Sequence, residues 1–403
     1  MSALIPVAEA HARLMRLFAP LATETVPLAE AAGRVLAADV VATRAQPPFA
    51  ASAMDGYAVR AADAAAGRRL RVIGTAAAGG RFAGSVGAGE AVRIYTGAPV
   101  PDGADFIVIQ EEVEAEDSGR VVTVREGRDR DPYIRPAGGD FLPGARVTAP
   151  RRLGVADITL LAAMGAGRVT VARRPAVALI PTGDELVPPG GEVGPDKIYA
   201  SNNYGLKAMI EEVGGEALLL PIARDTPEHL AAALDLATIA EGADLVVTLG
   251  GASVGDLDLV RGTAVARGLD LAFHRIAMRP GKPLLAGRLG GIPMIGLPGN
   301  PVSALVCAHL SLRPAIARML GLPGDPPARE GARLGTALPA NGPREHYMRA
   351  RVVADAGGWR CTPFSRQDSS LVSILAEANG LLVRPPDDPA RKEGEAVEFL
   401  WFR

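Results

Sequence analysis

The run TLGGASVGDLD (residues 248–258) sets glycines, hydroxyls and two carboxylates in one short loop behind an apolar stretch. PTGDEL (181–186) and LPGNPVSA (297–304) share this texture. Glycine lets backbone approach a ligand, and successive N–H groups form an anion-binding nest. Thr182, Gly183, Asp184, Gly250, Gly251, Ser253, Pro298, Gly299, Asn300 and Pro301 are therefore candidate substrate contacts, as is Ser201 of IYASNN. Asn300 is placed to cap the following helix, whose amino end favours an anion. MRPGKP (278–283) adds Arg279 as a planar fork and Lys282 as a mobile point charge. Asp184, Glu185, Asp256 and Asp258 by themselves repel a phosphate. A divalent cation between them and the anion resolves the conflict. Mg²⁺ suits, because it takes one or two carboxylates with phosphate oxygens and keeps several waters. Asp256 and Asp258 are the expected metal ligands. Neither a Walker A loop nor a G-x-G-x-x-G dinucleotide fingerprint occurs. Any one of these loops is also ordinary turn chemistry; their joint occurrence favours a site.

A second polar group lies nearer the amino end. SAMDGYA carries Asp55, IYTGAP carries Thr96, and RPAGGD carries Arg135 and Asp140. Each alone reads as a turn. Their interest depends on whether they face the phosphate loops of another copy of the chain.

The elements that must position these loops follow from hydrophobic period. Residues 176–325 alternate short apolar runs (AVALIPTG, ALLLPIARD, ADLVVTLGG, MIGLPG) with helical stretches. That alternation predicts βαβ units and a parallel sheet covered on both faces, a three-layer α/β domain. In TPEHLAAALDLATIAEG, Thr226 is the expected N-cap, with Pro227 at the first helical position. Residues 46–140 hold short β runs separated by Gly, Asp and Pro turns, a small β domain. The flanking segments 1–45 and 141–175 share a helical texture, including VAEAHARLMRLFA and LAEAAGRVLAADV. The β domain is thus expected to be inserted into a discontinuous N-terminal domain. Residues 326–403 return to short β runs, expected as a C-terminal β-barrel. The fold class is multidomain α/β.

A length of 403 residues exceeds what one core usually serves. Net charge of −2 argues against a nucleic-acid or anionic-membrane partner. Cys307 and Cys361 form no C-x-x-C pair, and the five histidines lack metal-ligand spacing. No run reaches the roughly 20 apolar residues that span a bilayer. The start reads as an amphipathic helix and not as a signal peptide, so the expected setting is cytoplasmic.

Taken in order, SAMDGYA, TGAPVP, TGDEL, GGASVGDLD, RPGKP and LPGNPVS resemble the molybdopterin molybdenumtransferase family of molybdenum-cofactor biosynthesis. QDSSLVSILAEANGLLVRP is similar to that family's last domain. The resemblance implies a homodimer whose third domain binds adenylylated molybdopterin. It implies Mg²⁺-dependent insertion of molybdate with loss of AMP. It also implies a cleft completed by the second domain of the partner, and transient contact with the preceding adenylyltransferase and with acceptor molybdoenzymes. By motif it carries Asp55, Thr96, Asp140, Glu185, Asp225, Asp256, Asp258 and Lys282 into the site. Asp55, Glu185, Asp225, Asp256 and Lys282 fall among the catalytic group. Arg279 stands where many members have Lys, Ala50 and Ala51 where Asp-Asn is frequent, and Ala200 where Asp often precedes Ser-Asn. Two other readings stay open at this point: an adenylyltransferase on the same α/β domain, and a non-enzymatic molybdopterin-binding scaffold.

Overall fold

The computed structural model describes residues 4–127, 130–240, 242–250 and 257–402, without the side chains of Ala240, Leu257 and Asp258. Its centre is an α/β domain. In chain order this runs β1 (Ala176–Pro181), α1 (Asn202–Glu212), β2 (Glu216–Leu219), α2 (Pro227–Asp235), β3 (Leu245–Leu249) and α3 (Leu257–Ala266). It continues with β4 (Leu269–Phe273), β5 (Leu285–Leu289), β6 (Ile292–Leu297) and α4 (Pro301–Met319). All five residues of β3 are buried, as a strand covered on both faces requires. Val177, Leu179, Val247, Ile295 and Leu297 point to one face, against α1, α4 and the N-terminal helix Val7–Met15. Ala178, Ile180, Val246 and Met294 point to the other, against Leu230 and Leu234 of α2 and Val260 and Ala264 of α3. This period of two produces the three layers.

The sheet order is β2-β1-β3-β6-β5-β4. The first four strands are parallel, but β5 and β4 are antiparallel to their neighbours. The sheet is therefore mixed and not parallel throughout. Its hairpin turns on Gly290 and Gly291, both at positive φ, the backbone that joins antiparallel strands tightly. Thr226 does cap α2, accepting from the His229 N–H at 3.3 Å, with Pro227 at the first turn.

Outside the centre, Thr23–Pro27 pairs with Arg168–Ala172, and Val40–Val41 with Arg146–Val147. One small core, including Leu36, Val147, Leu161 and Val171, joins both chain segments. A six-stranded sheet formed by residues 56–124 lies between them in sequence. LAEAAGRVLAADV differs from expectation: it forms a 3₁₀ turn at Leu28–Glu30 and short strands, because Gly33 takes a left-handed φ of 75°. The N-terminal helix packs its Ala10 and Leu14 into the central core.

The C-terminal part is a closed five-stranded barrel. Glu345–Asp355, Gly358–Pro363, Glu330–Leu334, Ala396–Trp401 and Gly380–Arg384 pair in turn, and the last returns to the first. Helix α4 is buried nearly all round because sheet, N-terminal helix and barrel all pack against it. Among the described residues, no helix is long and apolar enough to cross a membrane.

Candidate active site

From β1 the chain crosses to β2 on one side and later to β3 on the other. A crevice opens outside the carboxyl ends of strands at such a reversal. Here it is a cleft of about 590 Å³. Thr182 and Glu185 line it from the loop after β1, and Gly250 from the loop after β3. Pro298, Gly299, Asn300 and Pro301 line it after β6, and Ser201 lies just before α1. These sequence-predicted residues are brought together.

The glycines are sterically required. Gly250 has φ 113°, and a Cβ there would collide with the Thr182 carbonyl. A Cβ on Gly299 would stand 3.3 Å from the Gly250 Cα, so the two loops meet at the cleft floor. Gly183, at φ 148°, leaves room for the Glu185 carboxylate.

The backbone donors, however, are not distributed as expected. The Thr182 N–H donates to Leu249 O (2.8 Å), that of Gly183 to Ala223 O (3.1 Å), and that of Gly250 to Leu297 O (3.3 Å). Those amides tie the loops to the sheet and do not form an open nest. The N–H groups of Gly299 and Asn300 make no hydrogen bond among the described residues. They stand at the amino end of α4, a 19-residue helix, where backbone dipoles favour an anion. The Asn300 side chain makes no cap, contrary to expectation, because Pro301 opens the helix and the Val302 N–H is taken by Ser369 O of the barrel (3.1 Å).

Among the carboxylates, Glu185 is exposed on the cleft wall. Asp225 accepts the Asp184 N–H at 3.3 Å, so it braces this loop, and Lys197 holds the Asp184 carbonyl. Gly251, Ser253 and Asp256 lie outside the described residues, as does the Asp258 side chain. Among described residues no group of three or more His, Cys, Asp or Glu gathers to hold a metal. Mg²⁺ needs only one or two carboxylates beside phosphate oxygens and water, and the free Glu185 carboxylate fits that mode.

The MRPGKP loop leaves the central sheet. Met278–Arg279 pairs in parallel with Glu345–His346 of the barrel. A Cβ on Gly281 would collide with Cys307 Sγ, so this loop is pressed onto α4. Pro283 lines the cleft; Lys282 is exposed and makes no side-chain hydrogen bond or ion pair among the described residues. Arg279 is exposed too. Burial, then the charges of Arg279, Arg384, Arg344 and Arg349, push His346 down to about 4.

In the six-stranded module, Asp55 Oδ1 accepts from the Thr96 N–H (2.7 Å) and hydroxyl (2.8 Å). These two bonds hold the Asp55 carboxyl below its ordinary value, with Arg93 adding to them. The Arg93 guanidinium lies 5.0 Å from the ring centres of both Tyr57 and Tyr95. Strand Ile134–Arg135 pairs with Ala51–Ser52, and the Ser52 N–H reaches Ala98 O at 3.0 Å. The three N-terminal motifs are thereby neighbours. Asp140 is exposed, its N–H on Gln46 O at 2.9 Å.

Asn202, Asn203, Ser303 and Ser370 also line the cleft and were not anticipated. The doubled asparagine of IYASNN and the serines of QDSSLVS were the available signals.

The molecule thus joins an α/β domain, with its cleft at the strand reversal, to an N-terminal β module and a closed C-terminal barrel. The MoeA N-terminal region (domain I and II) matches residues 5–165, a probable molybdopterin binding domain matches 178–318, and the MoeA C-terminal region (domain IV) matches 331–402. Molybdopterin molybdenumtransferase 2 of Mycobacterium tuberculosis is 37% identical over 93% of both chains. The molybdopterin molybdenumtransferase of Haemophilus influenzae is 35% identical over 95% of both. A crystal structure of the MoeA molybdopterin biosynthesis protein from Pyrococcus horikoshii superposes with a TM-score of 0.82, at 32% identity, covering 100% of each chain. The chain belongs to the MoeA family of molybdopterin molybdenumtransferases.

Proposed function

We propose that the cleft binds adenylylated molybdopterin, and that molybdenum from molybdate enters the dithiolene as AMP leaves. The single observation that carries this reading is the pair of amides, Gly299 and Asn300, without a hydrogen bond among the described residues, at the amino end of α4 in a cleft that Glu185 also lines. An anion site next to a carboxylate suits a metal-bridged pyrophosphate.

In this reading the amides of Gly299 and Asn300 hold a phosphate, with Ser303 beside them. Glu185, Asp256 and Asp258 would hold Mg²⁺, which supplies positive charge to the leaving phosphate when bound. Lys282 adds a second positive charge, and fixed donors cost no reorganisation as charge develops. Arg279 and Lys282 receive the molybdate oxyanion on the side where Pro283 meets the cleft. Asp225 keeps the PTGDEL loop in place. Asp55, Thr96 and Asp140 complete the cleft from a partner subunit of a homodimer. Transient contacts with the preceding adenylyltransferase and with acceptor molybdoenzymes, in the cytoplasm, complete the picture. An adenylyltransferase activity is disfavoured by the close full-length similarity to molybdenumtransferases. A scaffold role would leave the free amides and carboxylate without use.

The test is AMP release from adenylylated molybdopterin by the full chain. Release that needs both molybdate and Mg²⁺ supports the proposal. Release that continues in excess EDTA removes the metal role, and formation of adenylylated molybdopterin from molybdopterin and ATP, with pyrophosphate leaving, reverses the assignment.

A further inference from the structure

Two carboxamides in the cleft have no partner for their oxygens among the described residues. Asn203 is only 6% exposed, and its buried Oδ1 accepts no hydrogen bond. The preceding residue repeats the pattern: Asn202 Nδ2 donates to Gly299 O at 2.6 Å, which fixes the amide and leaves Oδ1 buried and unpartnered. Both residues line the cleft. Buried acceptors in folded proteins are nearly always satisfied, and an orphan destabilises the chain that carries it. The same cleft is lined by a short two-stranded ladder, Leu186–Val187 paired with Ile198–Tyr199, whose Ile198 and Tyr199 are 58% and 48% exposed. Leu186, Ile198 and Tyr199 give the cleft an apolar wall suited to a flat ring.

We propose that Asn203, with Asn202, is the specificity determinant that reads the aminopyrimidinone edge of the pterin. This rests on the cleft being the adenylylated molybdopterin site. The substrate has two heterocycles, and their edges differ. Adenine offers one donor group, its 6-amino, flanked by ring-nitrogen acceptors. The pterin offers two adjacent donors, the 2-amino group and N3–H. Two orphaned acceptors match the donor–donor edge. The orphans are then satisfied on binding, and the instability they cause belongs to the unliganded protein.

The experiment compares the full-length wild type with Asn203→Leu and Asn203→Asp. Pterin, lumazine (which carries oxygen in place of the 2-amino group) and AMP are titrated, and Tm is recorded without ligand. Wild type binds pterin about tenfold more tightly than lumazine, one good hydrogen bond's worth. Asn203→Leu weakens pterin about tenfold, erases its preference over lumazine, leaves AMP within twofold, and raises Tm. Asn203→Asp keeps an acceptor, so pterin binding survives while Tm falls. The proposal is overturned if Asn203→Leu lowers Tm and leaves pterin affinity unchanged, the signature of a structural residue. It is overturned equally if AMP weakens and pterin does not. Wild type binding AMP but not pterin sinks this inference alone; binding neither sinks the cleft assignment with it.

Discussion

In the function proposed above, the site's chemistry depends on Glu185 and its shape on Gly250. The Glu185 side chain makes no hydrogen bond among the described residues and is exposed, so little stability rests on its charge. Glu185→Gln should lower kcat/KM by about 10²-fold, the scale of one lost electrostatic contact to the transition state. Its Tm should stay unchanged, as for other exposed polar replacements. Steady-state assays beside thermal melts check this; a destabilised variant would move Glu185 from chemistry to structure. Gly250→Ala should do the reverse. Its φ of 113° and the nearby Thr182 carbonyl make any Cβ strained, costing about 1–3 kcal/mol of stability. Denaturant melts would read that loss directly, and a neutral result would mean that the loop after β3 relaxes freely.

At the scale of elements, the barrel strand Glu345–Asp355 decides where the RPGKP loop sits, because Met278–Arg279 pairs with its first two residues. His346 lies in that seam with a pKa of about 4, against 6.5 in the unfolded chain. Between those values the unfolded chain binds a proton that the folded chain refuses. Stability is therefore full above about pH 6.5 and declines as pH falls toward 4, by up to about 1.4 kcal/mol per pH unit from this group. Tm measured from pH 7.5 to 5 should fall, and His346→Gln should flatten the slope. An unchanged slope would mean that His346 titrates normally. The β-strand loops were legible from sequence because glycine-ended apolar runs mark both a strand's end and a ligand's approach. Three things were not legible. Apolar period does not reveal strand direction, and the runs read as strands leave out β4 and β5, so the antiparallel edge had no signal. Nor does it reveal which loop amides the sheet consumes: those of Thr182, Gly183 and Gly250 are taken, while those of Gly299 and Asn300 make no hydrogen bond among the described residues. Pairing of Met278–Arg279 with a strand 67 residues away is a long-range choice without a local signal.

For the whole molecule, the Asp55–Thr96 cluster and the Glu185 cleft belong to different sheets. If the cluster serves the cleft of a second copy, inactive variants should complement each other. Equal mixing of Asp55→Asn with Glu185→Gln, after dissociation and reassociation, should restore about one quarter of wild-type activity, because half the dimers are mixed and half their sites are intact. No recovery would place each active site within one chain. The N-terminal motifs were read from sequence as neighbours of a site in a partner, a relation that no single chain displays. The central claim is that the substrate's phosphates sit on the amino end of α4. A crystal grown with adenylylated molybdopterin, Mg²⁺ and molybdate tests it most directly. The account predicts phosphate density within hydrogen-bonding distance of the Gly299 and Asn300 amides, bridged through a metal to Glu185, Asp256 or Asp258. Phosphate density held elsewhere, with those two amides facing only solvent, would contradict it.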